Sequence, residues 1–374
     1  MIKLQSVKAY LLQIPFSFSI DHNLKQRLSS ESIIIEITDS SGRKGYGEGA
    51  PRAYVTGESG TAIIKSLPEI WQTIKISQFT SLNDVNEFQQ KIAQLQFSSL
   101  TCAFEMALLD LLGQNLSSSI TEFLKKESNK PVVYSVVIPY LATSKLTEIL
   151  RMVKKLKINQ LKLKVGVAND LENLQLARDI LGDEVDIRVD GNRAWELNEA
   201  IQKINSFKKF RVSCVEEPLV NHQVDQLPEL SRHIHLPLML DETLCSLQDA
   251  KKQAKLIDAE KLLFNLKLSK VGGLLNASKI HAFARERGIK CQLGCHVGES
   301  AILSAAGRIF AQTHSLEYLE GAAGPFFMED DVATQPIKFE QGGRAVRLTK
   351  NGLGITVNAD KISKYSSLTE EIRI

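Results

Sequence analysis

The chain has 374 residues, 43% apolar and 24% charged, with 46 basic against 43 acidic side chains and a net charge of +3; such proportions exclude disordered and fibrous classes. No run of five or more Lys/Arg forms a stripe for a phosphate backbone, and no apolar stretch nears the roughly 18 residues that span a bilayer, so neither nucleic acid nor a membrane is an expected partner and the chain should remain in the cytoplasm. Five cysteines without a CxxC pair (Cys102, Cys214, Cys245, Cys291 and Cys295) indicate neither a disulfide framework nor a zinc site.

The opening MIKLQSVKAYLLQIPFSF reads as a first strand. ESIIIEITDSSGRKGYGEGA, an apolar run, a turn and a second short strand, completes an antiparallel meander over residues 1 to about 50. Helices are predicted over 61–76, 82–96 and 98–116: Leu82, Val85, Phe88, Ile92 and Leu95 recur at helical spacing, as do Phe104, Leu108, Leu111 and Leu112 before Gly113. From Pro131 onward, strands are predicted at 132–139, 159–165, 186–191, 213–217, 237–242, 262–268, 290–295 and 317–320, with a helical segment after each of the first seven. This alternation argues for a parallel barrel, with an open doubly wound sheet as the alternative. TKNGLGITVNADKI is strand-like after a glycine turn and is expected to rejoin the N-terminal unit.

Polar residues on the predicted strands carry the chemistry. In QLKLKVG, alternation puts Leu161, Leu163 and Val165 on one side and Lys162 and Lys164 on the other. Helices cover a barrel's outside, so both lysines should face the lumen, where burial is costly without counter-charges. Strand three ends in Asp190, Gly191 and Asn192, strand four in Glu216, Glu217 and Pro218, strand five in Asp241, Glu242 and Thr243, and strand six carries Lys267. From Lys164 to Asp190, Glu216, Asp241 and Lys267 the intervals are 26, 26, 25 and 26 residues, one βα unit each, which places the five around one rim.

Three adjacent carboxylates repel unless a cation lies between them, and all-oxygen ligation points to Mg²⁺, with Mn²⁺ as the alternative. Such an ion on a substrate carboxylate stabilises the enolate left when the α-proton is removed. Lys162 is placed to depress the pKa of Lys164 and make it a base, and Lys267 could exchange a proton on the opposite face. Alone, KxK is a common surface pattern, acidic strand ends often cap the next helix, and Gly272 and Gly273 either cradle a phosphate or start a helix. The joint spacing is what makes accident improbable.

These residues resemble the enolase superfamily and, within it, the muconate-lactonizing-enzyme subgroup of the mandelate racemase/muconate lactonizing enzyme family, whose members use a lysine or histidine base with Mg²⁺. The matching elements are LKLKVG (Lys162, Lys164), VDGN (Asp190, Asn192), VEEP (Glu216), LDET (Asp241) and FNLKLSKVGG (Lys267), with GYGEG around Glu48 and AFEMALLDLLG over 103–113. The resemblance implies an α/β fold: a modified TIM barrel, (β/α)₇β, over 126–345, with an N-terminal α+β capping domain over 1–125 completed by a C-terminal segment over 346–374. It implies Asp190, Glu216 and Asp241 as Mg²⁺ ligands, Lys164 and Lys267 as the acid/base pair, and Lys162 as an electrostatic partner of Lys164 or of the substrate carboxylate. Asn192 and Glu242 join them as supporting or substrate-binding candidates. Capping loops at about 16–29 and 51–59 would close over the site, making Arg52 and Tyr54 specificity candidates unless they merely pack between domains. A small carboxylate substrate and a homo-oligomer are expected.

Two stretches depart from the pattern. LGCHVGES follows strand seven, where His296 resembles the catalytic histidine of mandelate-racemase-type members. Those enzymes pair it with an aspartate on strand six, and Lys267 stands there instead. Lys267 is therefore kept as the base, with His296 read as substrate-facing or supporting, and Glu299 as a candidate partner of Lys267. At strand eight, dipeptide epimerases of the subgroup carry an Asp-x-Asp for the substrate ammonium, whereas YLEGAAGPF offers only Glu320. The first expectation is racemisation or epimerisation of an N-acylamino acid or dipeptide. Cycloisomerisation of a muconate-like diacid, an o-succinylbenzoate-synthase-like β-elimination, a Schiff-base aldolase and a non-catalytic binding barrel are the alternatives.

Overall fold

A computed structural model of the chain describes residues 1–22, 25–124 and 131–374, so the expected domain boundary at 125/126 lies outside the described residues. The N-terminal sheet has the spatial order Ser366–Arg373, Ile2–Leu12, Ser32–Asp39 and Lys44–Gly49, all antiparallel, with Gln78–Phe79 also paired to Ile2–Leu12. Helix Ser98–Leu116 lies directly on the last of these strands, and GYGEG explains how. A Cβ on Gly45, Gly47 or Gly49 would come within 2.2, 1.9 or 2.0 Å of the carbonyl oxygens of Ala107, Ala103 and Ser99, so only glycine at alternate positions admits this approach. The intervening Tyr46 and Glu48 point the other way, as the period of two requires.

Some predicted elements differ from those found. The helix over 61–76 is two, Gly60–Lys65 and Leu67–Ile74, because Pro68 falls in the first turn of the second and cannot donate to a preceding turn. The helix predicted to 96 is Leu82–Ala93, opened by a capping box of Ser81 and Asp84. The capping loop at 16–29 is largely a hairpin of Pro15–His22 and Lys25–Ser29 whose tip, 23–24, lies outside the described residues. The strand expected in TKNGLGITVNADKI is absent. Asn358 instead accepts from the backbone N–H groups of Asp360 and Lys361 and caps helix Ala359–Tyr365, and the strand that rejoins the N-terminal sheet is Ser366–Arg373.

The second unit is an eight-stranded parallel sheet in sequential order: Val136–Ile138, Gln160–Lys164, Asp186–Asp190, Val212–Glu216, Leu238–Leu240, Leu262–Leu266, Lys290–Leu293 and Tyr318–Leu319, here called barrel strands one to eight. A helix follows each of the first seven, as the alternation predicts. The ends of the sheet meet where Ser135, just before strand one, donates its N–H and hydroxyl to the carbonyl of Leu319 on strand eight at 2.8 and 3.0 Å. The chain therefore has the modified barrel with an N-terminal α+β unit that the resemblance implies. Among the described residues no helix is long and apolar enough to cross a membrane.

Two buried acids bind the units together. Glu48 accepts from the Ser300 N–H and hydroxyl at 2.9 and 2.6 Å and from the Leu303 N–H at 2.9 Å, serving the free donors that open helix Ala301–Thr313. Glu105, from Ser98–Leu116, accepts from Leu275 N–H at 3.2 Å at the start of helix Leu274–Glu286. A Cβ on Gly273 would lie 2.6 Å from that carboxyl group. The Gly272–Gly273 pair therefore starts a helix whose anion is an internal glutamate.

Candidate active site

The ends of barrel strands two to six supply the rim. Lys164 is paired in register with Asp190, and Asp190 with Glu216, so the three stand level on adjacent strands. Lys164 Nζ donates to Asp190 Oδ2 at 2.7 Å and to Asn192 Oδ1. Across the ring, Lys267 Nζ is bonded to Asp241 Oδ2. Lys162, one lumen-facing position deeper, donates to Glu216 Oε2 at 2.9 Å and Glu320 Oε2 at 3.0 Å and lies 3.5 Å from Asp190 Oδ2. Those contacts reach from strand two to strands four and eight, which only inward-pointing side chains can do. Below this layer Arg188 bonds Glu320 Oε1 at 3.0 Å, the Ser135 hydroxyl at 2.6 Å and Gln292, with its guanidinium 4.1 Å from the Tyr318 ring centre.

Burial and the neighbouring Asp190 push Glu216 up to about 7. Against the same burial, Lys164 and Lys162 hold Asp190 below the usual carboxylate range, and Lys267 and Lys270 hold Asp241 well below it. The carboxylates in turn outweigh desolvation at Lys162 and Lys267 and keep both ammoniums well above the ordinary lysine value. Repulsion among the acids, anticipated from the sequence, thus survives at Glu216 and is relieved elsewhere by lysine.

Each of the three rim carboxylates is anchored by one oxygen. Asp190 Oδ1 accepts from the Asn192 N–H at 3.0 Å, Glu216 Oε1 from the Asn265 side-chain amide at 2.6 Å, and Asp241 Oδ1 from Lys270 at 2.7 Å. The other oxygen of each faces a lysine. Asn265 and Lys270 were not among the candidates, although Asn265 stands two positions before Lys267 on a strand, where the alternation used for Lys162 and Lys164 applies. Lys270 lies beyond the strand on the short helix Leu268–Val271, where alternation no longer applies. Glu217 turns the other way and accepts from the N–H groups of Asp241 and Thr243 at 2.8 and 2.7 Å. Its φ of 36°, like the 43° of Asn192, is sparsely populated for a residue other than glycine, and these bonds hold it there.

The substrate-side candidates are placed as follows. Arg52 is buried and donates to the carbonyls of Glu31 at 2.9 Å, Pro51 at 2.7 Å and Val297 at 2.8 Å, so it pins the N-terminal unit to the loop after strand seven. Tyr54 is half-buried, with the Arg27 guanidinium 5.9 Å from its ring centre. Burial, then Arg52 and Lys267, hold the His296 imidazole well below its ordinary value and therefore neutral. Glu299 Oε1 accepts from the His296 backbone N–H at 2.6 Å, the bond in which it is found in place of the expected one to Lys267, and burial pushes its carboxyl up to about 8. Glu242 is pushed up to about 8 by burial beside Asp241 and Glu217. Glu320, the only acidic residue of YLEGAAGPF, is committed to Lys162 and Arg188.

Among the described residues no three His, Cys, Asp or Glu side chains are already gathered as a chelating group, because lysine ammoniums stand between the rim carboxylates. The donor set nevertheless fits a hard divalent cation: three oxygen donors from adjacent strands, each with one oxygen fixed and one turned inward.

The family model for enolase C-terminal domain-like proteins matches residues 146–361. A hydrophobic dipeptide epimerase of Enterococcus faecalis is 27% identical over 83% of this chain and 87% of its own length. A crystal structure of a dipeptide epimerase from Enterococcus faecalis V583, complexed with Mg and dipeptide L-Leu-L-Tyr, superposes with a TM-score of 0.85 over 95% of this chain and 99% of that one at 24% identity. An N-succinyl-L-Arg/Lys racemase of Bacillus cereus is 25% identical over the full length of both chains, and its crystal structure gives a TM-score of 0.89 over 99% of this chain and 100% of that one at 23% identity. Muconate cycloisomerase 1 of Acinetobacter baylyi is 25% identical over 96% of this chain and 98% of its own. With the barrel, the carboxylate rim and the family model in agreement, the chain belongs to the enolase superfamily, in the mandelate racemase/muconate lactonizing enzyme family, and is an isomerase of that superfamily.

Proposed function

We propose that the protein is a Mg²⁺-dependent racemase or epimerase acting at the carbon α to the carboxylate of an N-acylamino acid or dipeptide. The observation that carries this reading is the placement of Lys164 and Lys267. They stand at the ends of strands two and six of an eight-stranded ring, on facing walls, each hydrogen-bonded to its own rim carboxylate. Inversion at carbon needs a proton removed from one face and returned to the other, and two lysines so placed serve both faces.

Asp190, Glu216 and Asp241 would hold the cation, with Mn²⁺ as an alternative to Mg²⁺. When bound, it supplies Lewis-acid stabilisation of the charge that develops on the substrate carboxylate. Lys162 is held in that wall by Glu216, Glu320 and Asp190, of which Glu320 would remain its partner with the cation bound. Asn192 orients the Lys164 ammonium together with Asp190. Arg52, which holds the N-terminal unit on the loop after strand seven, and Tyr54 are the specificity candidates, with neutral His296 near Arg52. An N-acylated substrate is favoured over a free dipeptide because Glu320 is already neutralised by two cations and leaves strand eight without a carboxylate for an ammonium group. Cycloisomerisation of a muconate is the second reading, favoured by the full-length relationship to a muconate cycloisomerase.

Proton exchange in D₂O with Mg²⁺, followed by NMR on N-acylamino acids, dipeptides and muconates, tests the reading. Exchange with inversion is expected, and Lys164→Ala and Lys267→Ala should each abolish inversion in a folded protein. Cyclisation of a muconate without α-proton exchange would replace the first reading by the second.

A further inference from the structure

We propose that Lys270 is a positioning residue of the cation site, fixing Asp241 so that one carboxylate oxygen is permanently occupied and the other is presented to the lumen beside Lys267. The inference rests on the function proposed above. Lys270 has a fully buried side chain, and its three ammonium protons meet three acceptors: the Asp241 carbonyl at 2.6 Å, Asp241 Oδ1 at 2.7 Å and the Asn265 carbonyl at 2.9 Å. No proton is left over for a ligand. Lys267, three residues earlier, takes the other oxygen of the same carboxylate and keeps 14% of its side chain exposed. Two lysines therefore share one aspartate with opposite duties, one reachable from the lumen and one sealed behind the carboxylate.

The arrangement extends to a second carboxylate. Asn265, whose carbonyl receives Lys270, holds Glu216 Oε1 with its side-chain amide. The paired bonds of Lys270 to the Asp241 carboxylate and carbonyl fix the terminal torsion of that side chain, so that one oxygen stays on Lys270 and the other faces the lumen. Groups that orient metal-binding carboxylates in this way typically control metal affinity by one to two orders of magnitude.

Titration calorimetry of Mg²⁺ into the purified protein provides the test, with Lys270→Met and, for comparison, Lys267→Met. Lys270→Met is expected to raise the Mg²⁺ Kd by about tenfold or more, while Lys267→Met, which leaves Asp241 anchored, leaves the Kd unchanged or lowers it. A folded Lys270→Met protein whose Kd stays within about threefold of wild type overturns the proposal. Should circular dichroism show that Lys270→Met does not fold, the same titration and criteria apply to Lys270→Gln, which keeps a donor. Failure of both to fold assigns Lys270 to the fold alone and also overturns it. If the wild type binds no Mg²⁺, the functional reading falls and takes this proposal with it, whereas wild-type binding unaffected by Lys270→Met removes only the proposal.

Discussion

Glu105 is an acid whose titration should be visible in the stability of the whole protein. It is buried where helix Ser98–Leu116 meets the start of Leu274–Glu286, and burial pushes its carboxyl from the ordinary 4.5 up to about 8. Between those values the folded chain holds a proton that the unfolded chain has released, so the unfolded state binds fewer protons and stability falls as pH rises. The penalty is absent below about pH 4.5, grows through neutrality and is complete above about pH 8. A displacement of that size corresponds to a few kcal/mol, at most about 5. Glu105→Gln removes the titration while preserving shape. Its carbonyl oxygen can still accept from the Leu275 N–H or from Gln89 Nε2, both of which donate to the wild-type carboxyl group. Urea unfolding of wild type and Glu105→Gln, followed by fluorescence at about pH 5 and about pH 9, should show the variant gaining on wild type by that amount as pH rises. An unchanged stability difference between the two pH values would refute the reasoning.

Glu48→Ala should destabilise by about 3 kcal/mol, because it strands the buried N–H groups of Ser300 and Leu303 while recovering part of the carboxylate's desolvation cost; urea unfolding at neutral pH measures it, and a loss under about 1 kcal/mol would contradict the account. Gly294→Ala places a methyl group 2.3 Å from Asn265 Oδ1 and must move the amide that holds Glu216. Mg²⁺-dependent α-proton exchange should fall by about 10- to 100-fold, a loss that retention of wild-type exchange would exclude.

The rim was legible in the sequence because a βα unit has a nearly constant length and because strand alternation converts a polar residue in an apolar run into a lumen position. Lys164, Asp190 and Glu216 do stand level on neighbouring strands, and Lys267 faces them on Asp241. What the pattern does not carry is direction after the strand has ended. Lys270 turns back to Asp241 through one turn of helix, and Glu105 finds Leu275 across 170 residues of chain. The strand expected at 349–362 failed for a related reason. Its alternation is real, but Leu353 is held by its N–H on Asp110 Oδ1 at 2.9 Å and Asn358 opens a helix, so the backbone groups a strand would need are already spent. Substrate contacts were least legible, because Arg52 spends its guanidinium on three carbonyls, which residue type alone does not reveal.

The docking of Glu48 and Glu105 on helix N-termini has a bearing on how this architecture can be recombined. The two helices they serve, Ala301–Thr313 and Leu274–Glu286, follow the strand that ends near His296 and the strand that carries Asn265 and ends at Lys267. A foreign N-terminal unit grafted onto this barrel would have to bring an acid to each of those helix starts, with small residues where Gly45, Gly47 and Gly49 admit the long helix. Chimeras that match these few positions should keep the two halves in alignment however much the rest of the exchanged surface differs. Chimeras chosen by overall similarity but lacking the acids should assemble with the mouth of the barrel displaced.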